Sequence, residues 1–255
     1  MKKSFVYFFI LLISFFSTKE GVAKTMHAIL VADTIHDITK MTMPDIDQLH
    51  VELCLVAKQT NLKLNEKIFI GTHFTKNKLV TYLQNLKLTP SDIVIFHFSG
   101  HGYRTKQKAM PWPYLAFDFS GQFIDLQWIA DAIWTKGPQF ALIIADCCNN
   151  YVEKGFNNES KDIFINKTRY KPSKLQGYQA LFAEAKGCII ISSCRAGQFS
   201  YGSRFGGLYT HYFLNHLNKE IEKTKPSWNQ ILKNTSNSIS HIQNPVYTVS
   251  ITRLN

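Results

Sequence analysis

Short, nearly unbroken apolar runs alternate along the chain with segments in which apolar side chains recur every three or four residues. The runs predict buried strands over Met26–Ala32, Lys67–Gly71, Asp92–Phe98, Phe140–Ala145, Cys188–Ser192 and Val246–Thr252. The periodic segments predict amphipathic helices over Asp45–Ala57, Lys76–Leu86, Asp125–Trp134, Tyr209–Leu217 and Trp228–Ser240. Buried strands separated by such helices indicate the α/β class, with a mostly parallel central sheet and helices on both faces.

The segment Asn149–Tyr178 breaks this alternation. It is long and polar, it is rich in lysine, and it follows a predicted strand that ends in two cysteines. Loops of this length without regular structure are usually functional or mobile. We therefore predict a mobile basic loop directly after the two cysteines.

The N-terminus has the pattern of an export signal. Lys2 and Lys3 precede the apolar run Phe5–Phe16, and small residues at 21–23 offer a cleavage site. As a helix this run would rise only about 18 Å, whereas a membrane span needs about 20 residues. We predict a bacterial signal peptide over residues 1–23 and a mature, exported domain over 24–255, periplasmic or secreted. An uncleaved signal segment is the alternative and would be the chain's membrane contact.

Composition narrows the class of protein. Hydrophobic residues make up 45% of the 255 residues and charged residues 18%, which is enough apolar surface for a buried core and argues against disorder. The formal net charge is +11, but the basic residues are scattered and form no nucleic-acid motif, so we predict a solvated basic surface and no nucleic-acid partner. The five cysteines are an odd number, so at least one thiol is unpaired within the chain.

Two predicted strands end in reactive side chains. Asp92–Phe98 runs into a Ser-Gly-His-Gly turn that contains His101, and Phe140–Ala145 runs into Asp-Cys-Cys-Asn, which contains Cys148. Ligands of an open parallel sheet bind beyond the carboxyl ends of its strands. An imidazole exchanges protons near neutral pH and can stabilise a nucleophilic thiolate. Each residue alone has an alternative: a turn histidine bonded to the backbone, or a cysteine that packs or forms half of a disulfide.

The two motifs, HFSGHG and ADCCNN, resemble the catalytic core of the caspase/metacaspase superfamily, in its bacterial metacaspase-like form. His101 lies about 50 residues before Cys148, as in caspases. PYLAFD, which ends at Asp118, and the stretch Ser192–Leu217 resemble further family segments. The resemblance extends over Met26–Thr252 and implies a caspase-like three-layer sandwich.

The resemblance also implies a chemistry. The family register, in which Asp-x-Cys carries the nucleophile, selects Cys148 over Cys147, with His101 as the base. The backbone N–H groups of Gly102 and Cys148 are the implied oxyanion donors, the substrates are polypeptides, and no cofactor is implied. The chain departs from the family after the cysteine, where Asn149, Asn150 and Tyr151 replace the usual His-Ser-Gly or Arg-Gly. This departure keeps open an inactive, binding-only caspase fold.

Charge predicts the preferred residue on the amino side of the cleaved bond, the P1 residue. Asp146 lies two residues before Cys148, so the two side chains should point to the same side of the strand. A carboxylate there would attract arginine or lysine, and Asp118 is a candidate second acid of the S1 pocket. The alternative for both is a structural carboxylate that accepts loop N–H groups. An enzyme of this specificity could cut its own basic loop at Lys167, Arg169, Lys171 or Lys174; an uncut surface loop is the other interpretation.

Other chemistries have weaker support in the sequence. A zinc site from His97, His101, Cys147 and Cys148 lacks the paired-ligand spacing of such sites, so no metal is predicted. A different Cys–His hydrolase or transferase remains the third class of function, after the peptidase and the inactive fold.

Overall fold

A six-stranded sheet forms the centre of the protein. In the computed structural model, residues 24–151 and 175–252 are described. The strands are β1 (Thr25–Ala32), β2 (Lys63–Phe69), β3 (Ile93–Ser99), β4 (Gly102–Tyr103), β5 (Tyr114–Ala116), β6 (Phe123–Asp125), β7 (Phe140–Asp146), β8 (Lys186–Ser192), β9 (Gly202–Ser203), β10 (Gly206–Gly207) and β11 (Val246–Thr252). The helices are α1 (Thr39–Thr60), α2 (Lys76–Asn85), α3 (Leu126–Trp134), α4 (Leu175–Tyr178), α5 (Leu208–Ile221) and α6 (Trp228–Ile239). The predicted signal segment and residues 152–174 of the predicted basic loop lie outside the described residues.

The central sheet is parallel apart from one edge strand. Its order is β11-β8-β7-β3-β1-β2, and only β11 runs antiparallel to its neighbour. Every parallel strand of the sheet therefore ends at the same edge, where a site can form. The predicted α/β class with a mostly parallel sheet is confirmed.

Apolar side chains cover both faces of this sheet. Strand residues alternate between the faces, so that Ile95 packs on one side while Val94 and Phe96 pack on the other. On the first side α1, α5 and α6 supply the cover, and on the second side α2 and α3 do. The predicted three-layer arrangement, helices on both faces of a buried sheet, is confirmed.

The boundaries differ from the predicted ones where polar residues enter regular structure. Strand β2 begins at Lys63, before the predicted start at Lys67. It is an edge strand in which exposed polar side chains alternate with partly buried ones, so it lacks a continuous apolar run. Helix α1 begins at Thr39, so Pro44 lies inside the helix, which forgoes one backbone N–H donor there. Leu175–Tyr178, predicted as loop, is helical. The antiparallel sheets β4-β5-β6 and β10-β9 have strands too short to give a periodic signal.

No helix within the described ranges is both long and apolar enough to cross a membrane.

Candidate active site

The tips of β3 and β7 lie side by side at the carboxyl edge of the sheet. Ser99 and Asp146 are register partners, and the Gly100 amide donates to the Asp146 carbonyl at 3.3 Å. The two chains stay together beyond the sheet, since the Arg104 amide donates to the Asn150 carbonyl at 2.9 Å. His101 and Cys148 lie on these paired segments, so the two predicted strand ends are neighbours at one edge of the sheet.

Gly102 brings the histidine segment into direct contact with the cysteine segment. A Cβ atom at this position would lie 2.5 Å from Cys147 Sγ and 2.5 Å from the Cys148 carbonyl oxygen. The Ala116 amide donates to the His101 carbonyl, so Gly102 and Leu115 form a non-hydrogen-bonded pair and the Gly102 N–H stays outside the ladder. Only glycine permits this approach of the two loops.

We expect Gly102→Ala to lower activity by about 10²-fold, because the added methyl group must push the segment that carries the predicted oxyanion donor away from Cys148. The measurement is kcat on a peptide substrate together with the melting temperature. Gly202→Ala is the matched control, since its methyl group would meet the flexible end of Met41 at 3.0 Å. Equal losses in the two variants would show that the approach of the loops is unimportant.

His101 is packed into a small polar and aromatic pocket. Its side chain is 12% exposed, and Nε2 lies 3.3 Å from Oδ1 of Asp37, in the loop between β1 and α1. The His101 ring lies 5.2 Å from the Phe119 ring and 6.1 Å from the His36 ring, between centroids. Because Nε2 faces Asp37, Nδ1 is the ring nitrogen that does not contact this carboxylate. Sequence reasoning missed Asp37, whose one available signal was its position after a strand that ends at this edge.

Cys148 is half-buried, and its sulfur contacts the segment after β8. Sγ accepts a hydrogen bond from the Ser200 amide at 3.4 Å and lies 3.7 Å from the Ser200 carbonyl oxygen. Burial raises the pKa of Cys148 to about 11. The hydrogen bond from the Ser200 N–H acts to lower this pKa, and the negative charge of Asp146 acts to raise it. The thiol is therefore protonated at neutral pH in this arrangement, and a thiolate requires a base.

Cys147 is in a different environment from its neighbour. It is 1% exposed and belongs to the apolar cluster under β3 and β7. Burial first, then the nearby Cys194, Cys148 and Asp146, raises the pKa of its thiol well above the ordinary value. Of the two adjacent cysteines, Cys148 is the one at the mouth of the site.

The side chain of Asp146 lies below Cys148, paired with a second carboxylate. Asp146 accepts from Ser200 Oγ at 2.8 Å and from the amide and hydroxyl of Thr210 at 2.9 and 2.8 Å. Asp45 of α1 accepts from Ser99 Oγ at 2.6 Å and from the Gly207 amide at 2.9 Å. A Cβ at Gly207 would lie 2.2 Å from an Asp146 oxygen and 3.2 Å from one of Asp45, so both carboxylates face this glycine.

Burial and mutual repulsion make this pair costly while both carboxylates are charged. Burial raises the pKa of Asp146, and burial followed by the charge of Asp146 raises that of Asp45 well above its usual range. Such a pair attracts a proton or a cation. Sequence reasoning missed Asp45. The available signal was the position of this acidic residue on the apolar face of α1, which it shares with Leu49, Leu53 and Val56.

Comparison with known proteins shows the family to which the chain belongs. The family model described as the caspase domain matches residues 40–255. The chain belongs to the caspase-domain family. A crystal structure of a protein from Geobacter sulfurreducens is similar in fold, with a TM-score of 0.54 and 13% identity over 88% of this chain and 92% of that one. A comparison with curated proteins gives no significant match.

Membership confirms the resemblance to caspase-type peptidases and supports cysteine peptidase chemistry on polypeptide substrates. The roles of individual residues in this caspase domain stay predictions, and so does its specificity.

Asp118 lies in the loop between β5 and β6 of the caspase domain. Its oxygens accept hydrogen bonds from the amides of Ser120 and Gln122, and from Ser120 Oγ, at 2.8 to 3.0 Å. Burial alone would raise the pKa of Asp118, but these donors outweigh it and hold the pKa below its usual value. These contacts favour the structural alternative for Asp118. Asp146, which is buried and accepts hydrogen bonds from Ser200 and Thr210, has the contacts of that alternative as well.

The segment after Cys148, where the chain departs from the usual family pattern, is anchored by a buried amide. Asn149 donates through Nδ2 to the Pro111 carbonyl at 2.8 Å and to the Cys194 carbonyl at 3.2 Å. The buried guanidinium of Arg104 lies over the ring of Tyr151 at 5.6 Å and donates to the Lys108 carbonyl at 2.6 Å. The unusual residues therefore fix the backbone that carries the cysteine.

His97 belongs to the core of the caspase domain. It is fully buried, its Nε2 lies 2.9 Å from Thr210 Oγ1, and burial lowers its pKa to about 3. Because Thr210 donates to Asp146, its oxygen accepts from His97, and the histidine is neutral. In the part of the chain that the structure describes, there is no cluster of three or more His, Cys, Asp or Glu side chains that could hold a metal ion.

Proposed function

We propose that this protein is a cysteine endopeptidase of the metacaspase type, with Cys148 as nucleophile and His101 as base. The observation that carries the proposal is the direct packing of Gly102 against the Cys148 backbone, at the common end of two parallel strands. This packing supports a substrate position in which the His101 imidazole and the Cys148 sulfur lie on either side of one bound peptide bond. The buried alternative, Cys147, has no path to a substrate.

The proposed reaction proceeds through an acyl-enzyme. Cys148 Sγ transfers its proton to His101 Nδ1 and attacks the carbonyl carbon of the scissile bond. The backbone N–H groups of Gly102 and Cys148 stabilise the oxyanion. His101 then protonates the leaving amine, and a thioester remains on Cys148. A water molecule deprotonated by His101 hydrolyses this thioester and restores the thiol.

The carboxylate pair supports a preference for arginine or lysine at P1. Asp146 reaches Cys148 through one residue, since Ser200 contacts the carboxylate with its hydroxyl and the sulfur with its amide. A guanidinium or ammonium group beside Asp146 and Asp45 would offset the repulsion between two buried negative charges. An acidic P1 side chain would add a third negative charge to this buried site, which is strongly unfavourable.

Two further proposals follow from the sequence. The N-terminal segment 1–23 is a signal peptide, and the mature enzyme acts in the periplasm or outside the cell. The basic loop is a substrate of the enzyme itself, cut at Lys167, Arg169, Lys171 or Lys174. Both residue sets lie outside the described residues. The N-terminus of the secreted protein and the masses of its fragments test these proposals.

The test is cleavage of peptides that differ only at P1, with arginine, lysine or aspartate, by the purified protein. We expect cleavage after arginine and lysine. Cleavage after aspartate alone would contradict the specificity. Folded protein that cleaves none of them, with or without calcium, would favour the inactive, binding-only caspase fold.

We expect Asp37→Asn to lower kcat by about tenfold with little change in KM, because the carboxylate orients the His101 ring. The measurement is the separation of kcat from KM on a P1-Arg peptide. Asp47→Asn is the control, since it removes the same charge from an exposed position on α1. A change confined to KM would show that Asp37 contacts substrate and does not position the histidine.

A further inference from the structure

A second cysteine–histidine pair lies on the outer surface of α1, on side chains that the proposed peptidase reaction does not use. Cys54 is exposed, and its Sγ lies 3.8 Å from Nε2 of His50, one helical turn earlier. His50 Nδ1 lies 2.8 Å from Oε2 of Glu66, on the edge strand β2. The three side chains form a linear array of thiol, imidazole and carboxylate.

The carboxylate determines which ring nitrogen faces the sulfur. An ionised carboxylate only accepts hydrogen bonds, so His50 Nδ1 carries the hydrogen and Nε2 presents its lone pair to Cys54. The other Glu66 oxygen, Oε1, is buried and has no hydrogen-bond partner among the described residues. The Glu66 carboxylate is therefore directed at the imidazole, which lies between it and the sulfur.

The surroundings of the array suit an anionic reagent. Lys58 lies one turn after Cys54 on the same exposed face of α1. An ammonium group at that position attracts carboxylates. The sulfur itself is open to solvent, unlike the buried thiols Cys147, Cys188 and Cys194.

We infer that Cys54 is a modification site that forms mixed disulfides with small anionic disulfides, a site separate from the proposed peptidase centre. His50 Nε2 takes the proton of the thiol, and Cys54 Sγ attacks one sulfur of the reagent. A new S–S bond forms to Cys54 and the reagent's S–S bond breaks. The departing thiolate takes the proton from His50 and leaves as a thiol, so one disulfide is exchanged for another.

The test uses the full chain carrying Cys148→Ala, which removes the other accessible thiol, with oxidised glutathione as the probe. Intact-mass measurement gives the rate of addition, and peptide mapping gives the residue. We expect one glutathione on Cys54 and no addition to the Cys54→Ser protein. We expect His50→Gln to slow the reaction by about fivefold near pH 7, since glutamine has no ring nitrogen to take the thiol proton.

His241→Gln, at another exposed histidine, is the matched control and should leave the rate unchanged. The pH dependence gives a second criterion: the His50→Gln rate should fall more steeply below neutral pH than that of the parent. Equal rates and equal pH profiles for the parent and His50→Gln would overturn the inference. So would glutathione found on a cysteine other than Cys54.

Discussion

We expect Cys148→Ala to reduce peptide cleavage by at least about 10³-fold, while Cys147→Ala keeps most of the activity. The reason is position: Cys148 is half-buried at the mouth of the site, whereas Cys147 packs in the apolar cluster below the sheet edge. The measurement is kcat/KM for a P1-Arg peptide with both variants. Loss of activity in Cys147→Ala with retention in Cys148→Ala would show that the predicted register is wrong.

A chemical readout separates loss of the nucleophile from loss of the fold. The pKa of Cys148 is raised to about 11, mainly by burial, so its thiol is protonated at neutral pH unless a base removes the proton. In His101→Ala, which lacks the imidazole that would take the proton, alkylation of Cys148 by iodoacetamide should be slow near neutral pH and should rise only at alkaline pH. The parent protein should react with a neutral-pH component that His101→Ala lacks. Identical profiles would exclude His101 as the base.

The second large effect is expected for the buried carboxylates. Asp146→Asn should lower kcat/KM for P1-Arg peptides by about 10²-fold, because it removes a desolvated charge that would pair with the guanidinium. Peptides with an uncharged P1 residue should be affected far less. Measurement of kcat/KM on this matched peptide pair gives the ratio directly, and the melting temperature shows whether Thr210 and Ser200 tolerate the change.

Asp118→Asn is the control for this prediction, because the contacts of that carboxylate are within its own loop. A loss of P1-Arg cleavage in Asp118→Asn equal to that in Asp146→Asn would assign the pocket to Asp118 instead. The pH dependence follows in sign from the raised pKa values of Asp45 and Asp146. A cation binds the charged pair, so KM for P1-Arg peptides should rise as the pH falls and the carboxylates take up protons.

The sheet and its two reactive strand ends could be predicted from the sequence, because a buried parallel strand is a nearly continuous apolar run. The positions of β3 and β7 followed from such runs, and the turn residues His101 and Cys148 followed from the strand ends. Partners that reach the site from distant loops left no periodic signal. Asp37 contacts His101 across 64 positions, and Ser200 contacts Cys148 across 52.

The pocket prediction shows the same limit. Alternation along a strand predicts that Asp146 and Cys148 point to the same side, but it could not show that the hydroxyls of Ser200 and Thr210 surround the carboxylate. Asp118 was chosen from a resemblance, and local turn geometry determines its contacts instead. Asp45 was visible only as an acid on an apolar helical stripe, a pattern that typically indicates a buried polar partner.

The pairing of β7 with β8 has a consequence for a chain cut between them. Both strands lie inside the same sheet, and one apolar cluster joins Leu142 of β7 to Ile189 of β8 and to Phe213 of α5. Scission in the connecting segment would leave two fragments that together form one apolar core. Each fragment would expose its half of that core to solvent if the two separated. The nicked protein would elute as one species under native conditions and would separate into two polypeptides only in denaturant.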